Sequence, residues 1–147
     1  MSDIRTDAYL PHPVERVWDA LTDPIQLAEW LMPNDFQARV GHRFTFRTDP
    51  VPSEGFEGVI HCTVLILRPP ELLSISWTGG PGLDTVVTWQ CAPEGHGTRL
   101  FLTHDGFDDN DPAQQAVKRI LGRGWRGHMA RRLERHLAYE ANRRARS

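Results

Sequence analysis

Long apolar runs are missing from this sequence: none approaches the ~20 residues needed to cross a membrane as a helix. The first residues, MSDIRTDAYL, carry no basic stretch followed by an apolar one, so no secretory signal is expected and a cytoplasmic location is. Cysteine is scarce. Cys62 and Cys91 form no CxxC pair and fall inside predicted strands, where they read as small buried hydrophobes rather than a disulfide or metal pair. The five serines include none in a G-x-S-x-G turn, and GGPG (Gly79 to Gly82) lacks the Lys-Ser/Thr and helix of a phosphate-binding loop, leaving a hairpin turn. Seven histidines are present, yet no pair at i, i+4 flanks a glutamate and no ligand cluster appears; neither metal nor cofactor is expected.

At 147 residues, 39% hydrophobic and 24% charged, the chain suits one soluble globular domain spanning 1–147. The net charge of -2 conceals a division: residues 1–110 carry 7 Lys/Arg and 16 Asp/Glu, and residues 111–147 carry 10 and 3. In RRLERHLAYEANRRAR the basic residues alternate with Leu133 and Leu137 at helical spacing, which marks the solvated face of an amphipathic helix. With no zinc-finger spacing or stacking-aromatic motif, nucleic acid is not expected as a partner.

Periodicity gives the order of elements. IRTDAYLP alternates as a first strand. In HPVERVWDALTDP, Pro13 suits a first helical turn, and Val14, Val17, Trp18 and Leu21 share a face. Asp23 is a predicted N-cap and Pro24 the first position of a second short helix, whose Leu27, Trp30 and Leu31 align before Pro33 ends it. FQARV and HRFTFRT, about Gly41, predict a hairpin. FEGVIHCTVLILR, LLSISWT, DTVVTWQCA and TRLFLTHDGF predict four further strands. The segment after Asp111 is helical, with Val117, Ile120, Leu121, Trp125, Met129, Leu133 and Leu137 as its apolar stripe. Gly122, Gly124 and Gly127 weaken its middle and predict a kink or two helices. The only element long enough to cover the apolar face of such a sheet is this last helix, and a curved sheet wrapped around a helix leaves a gap where the two diverge.

Five segments resemble the START-like (SRPBCC, helix-grip) superfamily, typified by the birch-pollen allergen: PVERVWDALTDPIQLAEWLMP, VGHRFTF, ILRPPELLSISW, TVVTWQCAPEGHGTRLFLTHDGF and GWRGHMARRLERHL. Within it the sequence is most similar to the branch named after the activator of the heat-shock-protein-90 ATPase. The resemblance implies an α+β helix-grip fold, with a curved antiparallel sheet of six or seven strands around a long C-terminal helix. It also implies a deep cavity between sheet and helix, entered near the two short helices.

The side chains expected at that cavity are Trp30, Met32, Phe46, His61, Trp77, Trp89, His104, Trp125, His128 and Met129. Aromatic faces suit a flat or aliphatic ligand, and a histidine on an inward position would orient it. For His61 the inward and outward readings are balanced; His104, closing the alternation Leu100, Leu102, His104, leans inward. Asp35, Glu57 and Asp105 are the carboxylates considered for acid–base work, and none is paired with a second group. The function expected is binding of a small hydrophobic or aromatic molecule. A cyclase or hydrolase acting on a polyketide-like or aromatic substrate is the alternative, and a co-chaperone-like interaction module a third. A homodimer is compatible with either an edge strand or the long helix. Trp30, Leu31 and Met32, ending a short helix against Pro33, are expected to form a poorly anchored gate over the cavity.

Overall fold

Strand β1 (Ser2–Leu10) leads into helices α1 (Val14–Thr22) and α2 (Pro24–Trp30) in the computed structural model, which describes residues 2–54, 56–79 and 82–146. Then come β2 (Arg43–Arg47), β3 (Val59–Arg68), β4 (Leu72–Trp77), β5 (Thr85–Glu94) and β6 (Gly97–Phe107). The six strands form one antiparallel sheet in the order β1-β6-β5-β4-β3-β2, so the first strand pairs with the last and β1 and β2 are the edges. The chain closes with a helical segment of 34 residues: α3 (Pro112–Arg123), a π turn (Gly124–His128) and α4 (Met129–Ala145). This is the α+β helix-grip arrangement.

Side-chain parity decides what the sheet turns inward. Ile60, Cys62 and Val64 of β3, Leu73, Ile75 and Trp77 of β4, Val87, Trp89 and Cys91 of β5, and Leu100, Leu102 and His104 of β6 are all buried. Register stacks them, with Trp89 opposite Leu102 and Val87 opposite His104. Both thiols are buried, and burial pushes them above their ordinary pKa, Cys91 to about 12.

Two sequence expectations need correction. FQARV is not a strand. Asn34 makes one bridge to Phe46, residues 37–40 are exposed, and the chain turns at Gly41 (φ 88°) before β2 begins. Ile120 does not belong to the apolar stripe; it is 62% exposed while Leu121 beside it is packed on the core. The glycine-weakened middle of the helix, where a kink or two helices were expected, is a π turn between α3 and α4, in which the Met129 N–H donates to the Gly124 carbonyl five residues back. A Cβ on Gly124 would lie 2.6 Å from the Met129 methyl, so only glycine admits that turn without displacing Met129. Gly80 and Pro81 of the expected GGPG turn lie outside the described residues.

The α1–α2 corner explains why a helix ends on so much apolar bulk. The Asp23 carboxylate caps α2 by accepting from Ile25 N at 3.0 Å. The α1 carbonyl of Ala20 would ordinarily accept from residue 24, but Pro24 has no N–H. Trp30, 2% exposed, fills the vacancy: its Nε1–H donates to the Ala20 carbonyl at 2.8 Å. Beyond it, the Asn34 amide donates to the carbonyls of Pro24 and Met32, and its oxygen accepts from Phe36 N. From the far side, the His136 Nε2–H donates to Gln26 Oε1 at 2.8 Å and Arg132 donates to the Glu29 carbonyl at 3.0 Å. The expected loose gate is a stapled corner.

Candidate functional site

Aromatic rings fill the interior from the β2 side inward. Phe36, Phe44, Phe46, Trp77, Trp125 and Trp89 follow one another with centroid separations of 5.1, 5.3, 5.6, 5.5 and 5.8 Å, mostly edge to face. The ladder stops at Trp89 and Trp125. Beyond them, toward the β1 edge, the inward positions of β1 carry Thr6 and Ala8, too small to reach α4. A cavity of about 270 Å³ remains there, floored by β1 and β6 and roofed by Trp125, Met129 and Leu133, with Trp30 at one end. It is smaller than the expected deep cavity, because the aromatic ladder occupies the other half of the interior. Of the two short helices, only Trp30 reaches it.

Directly behind the cavity lies a closed polar chain. Trp125 Nε1–H donates to His104 Nδ1 at 3.1 Å, which leaves the ring proton on Nε2. His104 Nε2–H therefore donates to Thr85 Oγ1 at 2.8 Å, and the threonine hydroxyl donates to the Trp77 carbonyl at 2.8 Å. Every polar atom in the chain is used. His104 is 0% exposed, and burial lowers its pKa from 6.5 to about 3, so the imidazole is neutral. Such a group orients Trp125; it has no free nitrogen to take or give a proton.

Of the ten side chains expected at the site, Trp30, Trp89, Trp125 and Met129 line the cavity. Phe46, Trp77 and His104 are buried behind it, and Met32 is half-buried at the corner. His61 and His128 are corrected: both are exposed and face away. His61 alternates with the inward Ile60 and Cys62, so strand parity turns it to the outer face, where its backbone bridges to Thr78. His128, next to the stripe in sequence, is carried past it by the π turn. Asp35, Glu57 and Asp105 are exposed as well. Asp35 accepts from Thr45 N at 2.7 Å, a bond that holds its pKa below the ordinary carboxylate value.

Sequence reasoning missed Thr6, Ala8, Leu100 and Leu102, which shape the cavity, and Arg126 at its rim. Alternation marked the first four as inward; their small or apolar character gave no sign that a void lay between them. His136 was also missed, although its position one residue before Leu137 places it beside the stripe.

A curved antiparallel sheet gripping a long C-terminal helix, with a partly apolar cavity between them, defines a START-like protein. A family model described as activator of Hsp90 ATPase homolog 1-like protein matches residues 11–138, and the chain belongs to that family. Similar solved structures include protein MLL2253 from Mesorhizobium loti, with 33% identity, a TM-score of 0.81, and coverage of 94% of this chain and 98% of that one. Protein BH1534 from Bacillus halodurans is 27% identical (TM-score 0.75; 93% and 97% covered). CalU16 from Micromonospora echinospora is 26% identical (TM-score 0.75; 96% and 79% covered). No protein of curated function matches the sequence.

Proposed function

We propose that the protein binds a small, flat or aliphatic apolar molecule in the cavity under Trp125, without chemistry on it. One observation carries this reading: three indoles, a methionine and four leucines surround about 270 Å³ of space that their own side chains leave unfilled. Apolar area removed from water contributes about 25 cal/mol per Å², enough to hold a modest ligand with no covalent step. The volume sets the size. An apolar cavity of about 150 Å³ binds benzene, so this one suits a two-ring body or a chain of about ten carbons.

The cyclase or hydrolase reading lacks an observation in its favour. It needs a buried acid–base group at the cavity, whereas the histidine nearest to it has both nitrogens engaged and the lining carboxylates Asp7 and Glu134 are exposed, Asp7 paired with Arg99. Native mass spectrometry of gently purified protein should show a co-purified molecule of that size. Titration with 2-naphthol should quench tryptophan emission, and Ala8→Ile, which fills the void from β1, should abolish the quenching while circular dichroism is unchanged. Quenching that survives Ala8→Ile would place the ligand elsewhere.

A further inference from the structure

Three arginines on α3 and the π turn, Arg119, Arg123 and Arg126, stand at i, i+4 and i+7 on one exposed face. Like charges at these spacings repel one another in a helix. None of the three has an ion pair or hydrogen bond to a described residue. They flank a groove of about 470 Å³ between the helix and the start of β1, to which Gln115, Lys118 and Asp3 also contribute. Its one carboxylate, Asp3, is engaged by Arg5 at 2.9 Å. The groove is thus strongly cationic, and among the described residues no carboxylate pairs with Arg119, Arg123 or Arg126.

The groove and the apolar cavity share a residue. Arg126 lines both. Its guanidinium lies back over Gly122, 3.0 Å from where a Cβ would stand, beside the Ile4 side chain. The two other carboxylates near the cavity do not cancel this charge: Asp7 is held by Arg99 at 2.8 Å, and Glu134 lies about two turns further along α4.

We propose that the groove takes the anionic end of the molecule whose apolar body fills the cavity, so that the ligand class is an amphipathic organic anion bearing a phosphate or a carboxylate. The assignment rests on the cavity reading above. Guanidinium forks match both headgroups through paired N–H donors, which a neutral hydroxyl does not reproduce.

The test compares 2-naphthyl phosphate, 2-naphthoate and 2-naphthol by calorimetric titration of the full chain at low and near-physiological salt. Both anions, or one of them, should bind at least about tenfold more tightly than the alcohol, with the margin narrowing as salt rises. The stronger anion identifies the headgroup. Arg119→Gln/Arg123→Gln, neither of which lines the cavity, should reduce the margin below about threefold while leaving 2-naphthol affinity in place, and Arg39→Gln, in the exposed segment before β2, should leave the margin intact. Ala8→Ile should weaken all three ligands. Equal affinity for anions and alcohol overturns the headgroup assignment and leaves the cavity reading standing. Anion binding untouched by Ala8→Ile, or inorganic phosphate binding as tightly as 2-naphthyl phosphate, overturns the proposal by showing an anion site unconnected with the cavity. No binding by any of the three overturns it together with the cavity reading.

Discussion

Trp125 donates its indole N–H to Nδ1 of His104 at 3.1 Å, across the gap between the π turn and β6. That bond joins the long helix to the sheet at the back wall of the cavity. Trp125→Phe keeps a ring but leaves a buried acceptor without a donor, which should cost about 1–3 kcal/mol. Urea unfolding of Trp125→Phe, Thr85→Val and the double variant should show a sub-additive double-mutant cycle, since both residues serve the same imidazole. Strict additivity would mean that the chain does not act as a unit.

The same histidine sets a pH dependence. Its pKa is lowered by burial in the fold, to about 3, and stands near 6.5 when unfolded. The unfolded chain therefore binds a proton that the folded one refuses. The stability associated with neutral His104 is fully present above about pH 6.5 and is lost as pH falls from there toward about 3, by up to ~1.4 kcal/mol per pH unit. Burial lowers His12 and His136 as well, with the same sign. Denaturant midpoints between pH 7 and 4.5 should fall, and less steeply in His104→Gln. Imidazole proton resonances of His104 that titrate near pH 6.5 would contradict the closed chain.

Trp30→Phe should test the corner. It retains most of the ring area but removes the side-chain donor to a carbonyl whose usual partner is the proline at position 24. A loss of about 1–3 kcal/mol is expected. In a Pro24→Ala background, where residue 24 regains an N–H, the loss from Trp30→Phe should shrink. Thermal melts of the four combinations give the answer.

Docking of α4 is tested by Leu133→Ala, a buried large-to-small change expected to cost about 2–5 kcal/mol. Arg131→Ala, exposed on the opposite face, should stay within about 0.5 kcal/mol. Because Leu133 lines the cavity, its variant should also alter 2-naphthol affinity, which a mere stabiliser would not.

Most of the architecture was legible because alternation and turn chemistry agreed. Asp23-Pro24 marked the start of α2, the apolar parity of Leu100 and Leu102 carried His104 inward, and Leu133 and Leu137 marked the docked face of α4. His61 was legible in principle, since Ile60 and Cys62 already fixed the parity of β3. FQARV failed for a different reason: Phe36 is buried against Phe44 of β2, but residues 37–40 are exposed, Val40 included, and carry no inward face to hold a strand. The cavity was the least legible feature. A void depends on what two distant segments together fail to fill, and the sequence signal at Thr6 and Ala8 is only that they are small.

The apolar stripe from Trp125 to Leu137 advances in steps of four, while an α-helix completes a turn in 3.6 residues, so an unbroken helix would walk the stripe around its axis by ~40° at each step. The wider π turn absorbs part of that drift at the step from Trp125 to Met129. It follows that the helix can lose a residue here without losing its docked face. Removing Gly127 would let the turn relax to an ordinary helix, because five residues of the wider turn cover about the same arc as four of an α-helix. Leu133 and Leu137 would keep their phase on the sheet, whereas a residue removed from within α4 would swing everything after it by roughly 100°.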